Sequence, residues 1–114
     1  MNVQVTERVL RVQVITLNGR LDAFYAPQLR KTYQALLDAG AIYFVLDLRD
    51  VEFMDSAAMA ALVSLLKQSR AAGGTVIMVK PVNENALRIL MLTKFDRVFH
   101  MSDTVDSAVR EVFA

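Results

Sequence analysis

The chain has 114 residues, no cysteine, 54% hydrophobic and 22% charged residues, and thirteen basic against twelve acidic side chains. That length suits one domain, spanning residues 1–114, that buries a core without staples; the missing cysteines exclude disulfide scaffolds, cysteine zinc sites and thiol chemistry. A formal charge of +1 with no basic block argues against nucleic acid, and no apolar run approaches the ~18 residues of a membrane helix, so a cytoplasmic protein that does not insert into membranes is expected.

In chain order, Val3 and Val5 alternate with Asn2, Gln4 and Thr6, the pattern of a short edge strand. Residues 9–17 are mostly β-branched or aliphatic and predict a second strand, ended by a turn at Asn18-Gly19. Pro27 suits a first helical turn, Leu29, Tyr33 and Leu36 fall on one helical face, and Gly40 stops the helix. Residues 42–48 predict a strand buried on both faces. A helix follows over residues 56–72, ended by Gly73-Gly74, with Met59, Leu62, Val63 and Leu66 as its buried stripe. Residues 75–79 predict another strand and residues 84–93 a third helix, with Leu87, Leu90 and Met91 on one face. Ile89 and Leu92 sit off that stripe and are expected either to pack on the last helix, the favoured placement, or to contribute to an exposed patch. Val98-Phe99 predicts a last short strand, and a final helix begins near Ser102 or Asp103. The alternation predicts an α/β domain with parallel central strands and about four helices, crowded onto one face of the sheet. The first two strands, tightly joined, are expected to pair antiparallel and make the sheet mixed.

Catalytic signals are sparse. The single histidine, His100, ends a predicted strand and suits a structural role. No HxH, HExxH or paired-carboxylate pattern is present, so neither a metal site nor catalytic residues are expected. The isolated glycines do not form a phosphate loop or another cofactor motif, and the six methionines fall in or beside core segments. The segment Leu46-Asp47-Leu48-Arg49-Asp50-Val51-Glu52-Phe53-Met54-Asp55-Ser56 differs: a buried strand ends, an acidic connection follows, and a helix opens. Asp55 or Ser56 suits an N-cap. Ser56 also suits a phosphoacceptor, because a helix start tolerates added negative charge. On a helical wheel Ala57, Ala61, Ser64 and Gln68 lie opposite the apolar stripe, with Ala60 and Lys67 near Ser56. This run of small side chains reads either as helix propensity or as a flat surface for a docking partner.

These motifs resemble the STAS domain family, and within it the stand-alone bacterial anti-sigma factor antagonists. Gly19-Arg20-Leu21-Asp22 is similar to the family's G-x-[LI]-D. Val45-Leu46-Asp47-Leu48 followed by Phe53-Met54-Asp55-Ser56 is similar to its core signature. Gly73-Gly74, the run from Arg88 to Thr93, Phe95-Asp96 and Val98-Phe99 occur in the family's order, so the resemblance spans essentially the whole chain. It implies a STAS-like fold and a partner switch with no enzyme activity. The unphosphorylated antagonist binds an anti-sigma factor that is a serine kinase, phosphorylation of Ser56 releases it, and a PP2C-type phosphatase resets it. Asp22 and Asp55 would flank the phosphosite, with Ala57, Ala58, Ala60, Ala61 and Ser64 at the partner surface, and the free chain would be a monomer. Two positions depart from the family pattern. Ala58 replaces a glycine where packing is tight, and Lys94 stands near a glycine-type turn position, a poor choice for left-handed backbone. The resemblance also admits an unphosphorylated accessory subunit of a transporter ATPase, which Ala58 slightly favours, and a small-ligand sensor.

Overall fold

A computed structural model describes residues 1–113; Ala114, the last residue of the expected domain, lies outside them. The elements are β1 (Gln13–Leu21), α1 (Ala26–Asp38), β2 (Tyr43–Met54), α2 (Ser56–Ala71), β3 (Thr75–Val79), α3 (Glu84–Leu92), α4 (Phe95–Val98), β4 (His100–Ser102) and α5 (Val105–Glu111). The four strands form one sheet in the order β1-β2-β3-β4, and every pairing is parallel. The expected mixed sheet is therefore corrected. Residues 1–12 carry no strand, so no antiparallel partner stands beside β1. Among the described residues the helix count rises to five through the single turn α4, whose Phe95 and the Phe99 that follows it bury their rings 5.7 Å apart. That turn displaces the last strand from Val98-Phe99 to His100–Ser102.

An order of 1-2-3-4 with crossovers of one hand keeps the linking helices on one face of the sheet. The main core lies there, joining Leu29 and Tyr33 of α1, Leu62 and Leu66 of α2, Leu90 of α3 and Phe99 to Phe44, Leu46 and Met78 of the sheet. The opposite face holds a smaller cluster of Val45, Ile77 and Val79 under Ala108 and Val112. The final helix α5 thus corrects the expected crowding of all helices onto one side. Neither α3 residue takes the favoured placement on the last helix: Ile89 packs against the main core, while Leu92, 75% exposed, follows the exposed-patch alternative.

β1 and β2 set up the ends that matter for function. Asn18-Gly19 does not end the first strand; it lies inside β1, between two irregularities of register with β2. Those irregularities give β2 two extra residues, and each re-aims the side chains that follow. Leu46, Leu48, Val51 and Met54 all turn inward despite their uneven spacing. Leu21 and Met54 consequently finish side by side, and the Asp55 amide donates to the Leu21 carbonyl at 3.1 Å.

Lys94 adopts φ 61° and ψ 30°, the left-handed conformation that its family resemblance raised. A Cβ is strained there by about 1 kcal/mol, so Lys94→Gly will stabilise the fold by about 0.5–1 kcal/mol in urea unfolding. Equal or lower stability would show that the turn carries no strain.

Candidate functional site

The end of β2 leads through a single residue, Asp55, into α2. Asp55 is extended (φ −106°, ψ 179°), the geometry of an N-cap. Its Oδ1 accepts the Ala58 amide at 2.9 Å, and its Oδ2 accepts the Ala23 amide at 2.8 Å. One carboxylate therefore caps α2 and ties down the loop between β1 and α1. Within that loop the Asp22 Oδ1 accepts the Phe24 amide at 3.1 Å, and the Asp22 carbonyl accepts the Tyr25 and Ala26 amides at 3.0 and 2.9 Å. The two connections at this end of the sheet are thus joined through the Asp55 carboxylate.

The charge of Asp55 is well supported. The Ala58 amide holds its carboxyl below the usual range; partial burial opposes this, while the Ala23 and Ala57 amides and Arg20 add to it. Asp47, buried on β2, behaves alike: burial pushes its carboxyl up, but the hydrogen bonds of the Arg49 guanidinium and amide outweigh burial and leave it lowered. Both groups titrate in the folded chain below the unfolded value of about 3.9. Their stabilisation is complete above that value and disappears as pH falls through the lowered folded values. Urea midpoints will therefore hold steady from neutrality to about pH 5 and fall below about pH 4. Asp55→Asn, which puts an amide NH2 or a neutral oxygen against backbone N–H groups, will make that acid fall shallower. An unchanged slope would remove Asp55 from the account.

Ser56 is the first residue of α2 and is exposed. Along the same side of α2, Ala60 and, three turns on, Lys67 are exposed and Val63 and Ser64 half-buried. With Thr93 and Phe95 these residues line an open depression of about 570 Å³. Ala57 is half-buried. The expected partner surface needs correcting at two positions, Ala61 from the helical wheel and Ala58 from the family resemblance. Ala58 and Ala61 are 1% and 0% exposed and cannot touch a partner from inside the core. The reason is that α2 packs on α1 as well as on the sheet, which widens its buried arc to include Leu65 and Ser69. Ala61 is small because α1 comes close: the buried Tyr33 hydroxyl donates to its carbonyl at 2.9 Å. The structure thus brings Asp22, Asp55, Ser56, Ala60 and Ser64 to one end and one helix face.

Sequence reasoning missed Phe24 and Tyr25. Phe24 is 81% exposed and packs edge-on against Tyr25 at 4.9 Å, in the loop that Asp55 holds. The signal was present as an aromatic pair between Asp22 and Pro27, in a segment too short for a strand or a helix. His100 is exposed and its Nε2 lies 3.1 Å from a carboxylate oxygen of Glu111 on α5. Among the described residues no group of three or more His, Cys, Asp or Glu side chains could hold a metal, and no helix is long and apolar enough to cross a membrane.

Residues 1–108 match the family model described as the STAS domain. A Thermotoga maritima protein, provisionally named an anti-sigma factor antagonist, is 33% identical over 102 residues, 89% of each chain. The anti-sigma-B factor antagonist of Bacillus subtilis is 27% identical and aligns over 96% of this chain and 97% of its own. Among solved structures, the anti-sigma factor antagonist SpoIIAA in its unphosphorylated form superposes with a TM-score of 0.70 at 21% identity, covering 95% of this chain and 94% of that one. The phosphorylated form of the Bacillus cell fate determinant SpoIIAA gives 0.68 at 20% identity, covering 96% and 97%; at these identities the likeness is one of fold.

Proposed function

The chain belongs to the STAS domain family, and from that membership we propose that it is an anti-sigma factor antagonist whose binding is switched off by phosphorylation of Ser56. The observation that carries this reading is the exposed Ser56 at the first position of α2, with Asp55 locking the neighbouring loop. Relatives named anti-sigma factor antagonists support it.

In the unphosphorylated state the face formed by Ser56, Ala60 and Ser64, flanked by Asp22 and Ala57, docks on an anti-sigma factor that is a serine kinase. Short side chains let the partner backbone come close. The kinase transfers the γ-phosphoryl group of ATP to the Ser56 hydroxyl: an O–P bond forms, ADP leaves, and the serine proton passes to a base on the kinase. The product carries nearly two negative charges next to Asp55, at the centre of a close contact. Desolvation and repulsion then eject the partner. The antagonist keeps its fold, because the positive end of the α2 dipole accommodates the dianion. A PP2C-type phosphatase hydrolyses the ester and restores the binding form. The switch consumes ATP through its partner, which suits the cytoplasm, and the antagonist itself performs no turnover.

The accessory-subunit reading drew on Ala58, and its side chain lies in the core, where it alters no docking surface. Intact-mass measurement after incubation with ATP and the cognate anti-sigma kinase tests the proposal. Wild type gains one phosphate and Ser56→Ala gains none. A phosphate on Ser56→Ala, or none on wild type, overturns the assignment.

A further inference from the structure

Among the described residues, Lys94 is the one position other than glycine that adopts a positive φ. Glycine or asparagine takes that conformation at little cost, yet the chain carries a lysine. Backbone outliers of this kind cluster at binding sites and switches, where the side chain they present is used. The turn itself is closed without the ammonium group. The Lys94 amide donates to the Met91 carbonyl at 3.1 Å, the Arg97 amide donates to the Lys94 carbonyl at 3.0 Å, and the Thr93 hydroxyl donates to the Ile89 carbonyl at 2.6 Å. Lys94 is exposed and makes no ion pair with another described residue. The turn therefore holds a cation in place with nothing of its own to bind.

The position of that cation is informative. Thr93 and Phe95, the residues on either side of Lys94, line the depression of about 570 Å³ that begins at Ser56. Met59 and Val63 of α2 join Phe95 in giving it an apolar lining. Lys67, exposed and likewise without an ion pair among the described residues, stands on α2 at the far end from Ser56. No aspartate or glutamate lines the depression, and Asp96 beside the turn is followed by the exposed Arg97. A cleft with charges of one sign raises the local concentration of the opposite charge. The apolar lining and a whole-chain charge of +1 without a basic block suit a protein segment rather than a nucleic acid.

We propose that Lys94 and Lys67 select an acidic, amphipathic segment of the anti-sigma kinase, seated in this depression with its apolar side chains on Met59, Val63 and Phe95. Carboxylates of the segment meet the two ammonium groups at the rim. This inference rests on the antagonist reading above and adds what sets partner choice. Glycine would be the less strained residue at this turn, so the lysine is kept at a cost in stability for the contact it makes. The closed turn holds that contact ready, which limits the ordering that binding requires.

Titration calorimetry of the unphosphorylated full chain against the kinase, at low and high ionic strength, tests it. Lys94→Gly and Lys94→Asn both suit positive φ and both remove the charge, and each will bind about tenfold more weakly than wild type. Lys94→Gly will do so while being the more stable protein in urea, an opposition that a purely structural role for the lysine does not produce. Lys94→Arg keeps the charge and will recover most of the affinity. Lys67→Gln will also weaken binding about tenfold, and high salt will narrow the gap between wild type and every neutral variant. The proposal is overturned if Lys94→Gly and Lys94→Asn bind as wild type does, or if Lys94→Arg is as weak as they are. Those results leave the antagonist reading standing, whereas a wild type that does not bind the kinase overturns both.

Discussion

Stoichiometric phosphorylation of Ser56 will weaken binding to the anti-sigma kinase at least 100-fold, equivalent to about 2.7 kcal/mol or more. The size follows from where the charge lands. Ser56 opens α2 beside the carboxylate of Asp55, and the same face carries Ala60 and Ser64, which offer a dianion no cationic partner of their own. Lys67 stands further along α2, three turns of the chain from the phosphosite. In the free protein water and the helix dipole solvate the phosphate. Against a docked protein that solvation is lost, and a buried unpaired charge costs several kcal/mol. Ser56→Asp brings one charge on a shorter side chain and will give a smaller loss, about tenfold. Ser56→Ala will bind as unphosphorylated wild type does. Titration calorimetry of the purified forms against the kinase reads all three, and urea unfolding will show the phosphorylated chain to be as stable as the unmodified one. Equal affinities for the two forms would sink the switch.

Gly74→Ala will destabilise the fold by about 3 kcal/mol or more, the largest effect expected of a single methyl group here. Gly74 donates its amide to the Ser69 carbonyl at 2.8 Å as the chain leaves α2, and the next residue, Thr75, donates to the Ile42 carbonyl at 3.0 Å. This is where β3 begins to pair with β2. A Cβ on Gly74 would collide with the backbone carbonyl group of Ile42 and lie 2.7 Å from its Cβ. Backbone at the mouth of a parallel pair has no rotamer by which to yield, so the strands themselves must shift. Gly73 is a useful contrast. It has φ +92° but open space around it, so Gly73→Ala costs only conformational strain, about 1–2 kcal/mol. Thermal melts will place Gly74→Ala roughly 10 °C or more below wild type, since 1 kcal/mol shifts a domain of this size by about 4–8 °C. A Gly74→Ala protein as stable as Gly73→Ala would show that the approach of the two backbones is looser than the structure has it.

Local signals in the chain marked the helices well. Pro27 and Gly40 bracket α1, and Asp55-Ser56 and Gly73-Gly74 bracket α2, because caps and stops act on the backbone of their own neighbours. The motif around Asp55-Ser56 likewise identified the candidate site and its family. Pairing was less legible. Nothing local told that residues 2–6 would lie off the sheet, that Asn18-Gly19 would sit within β1, or that two irregularities would let β2 run on to Met54. Each depends on what stands alongside the strand.

The amino-acid order alone determined the alternation of strand and helix from α1 to α3 and a helix start at Asp55-Ser56, with one of those two residues as its cap, since these rest on contacts within a few residues. Only the tertiary structure decided which side of α2 is available. Ala61 read as surface on a single-sided wheel and Ala58 as surface from the family resemblance, yet both are core because α1 and the sheet cover α2 from two directions. The same holds for Asp55: its second oxygen reaches the Ala23 amide across 32 positions of sequence, a bond that exists only once β1 and β2 lie side by side.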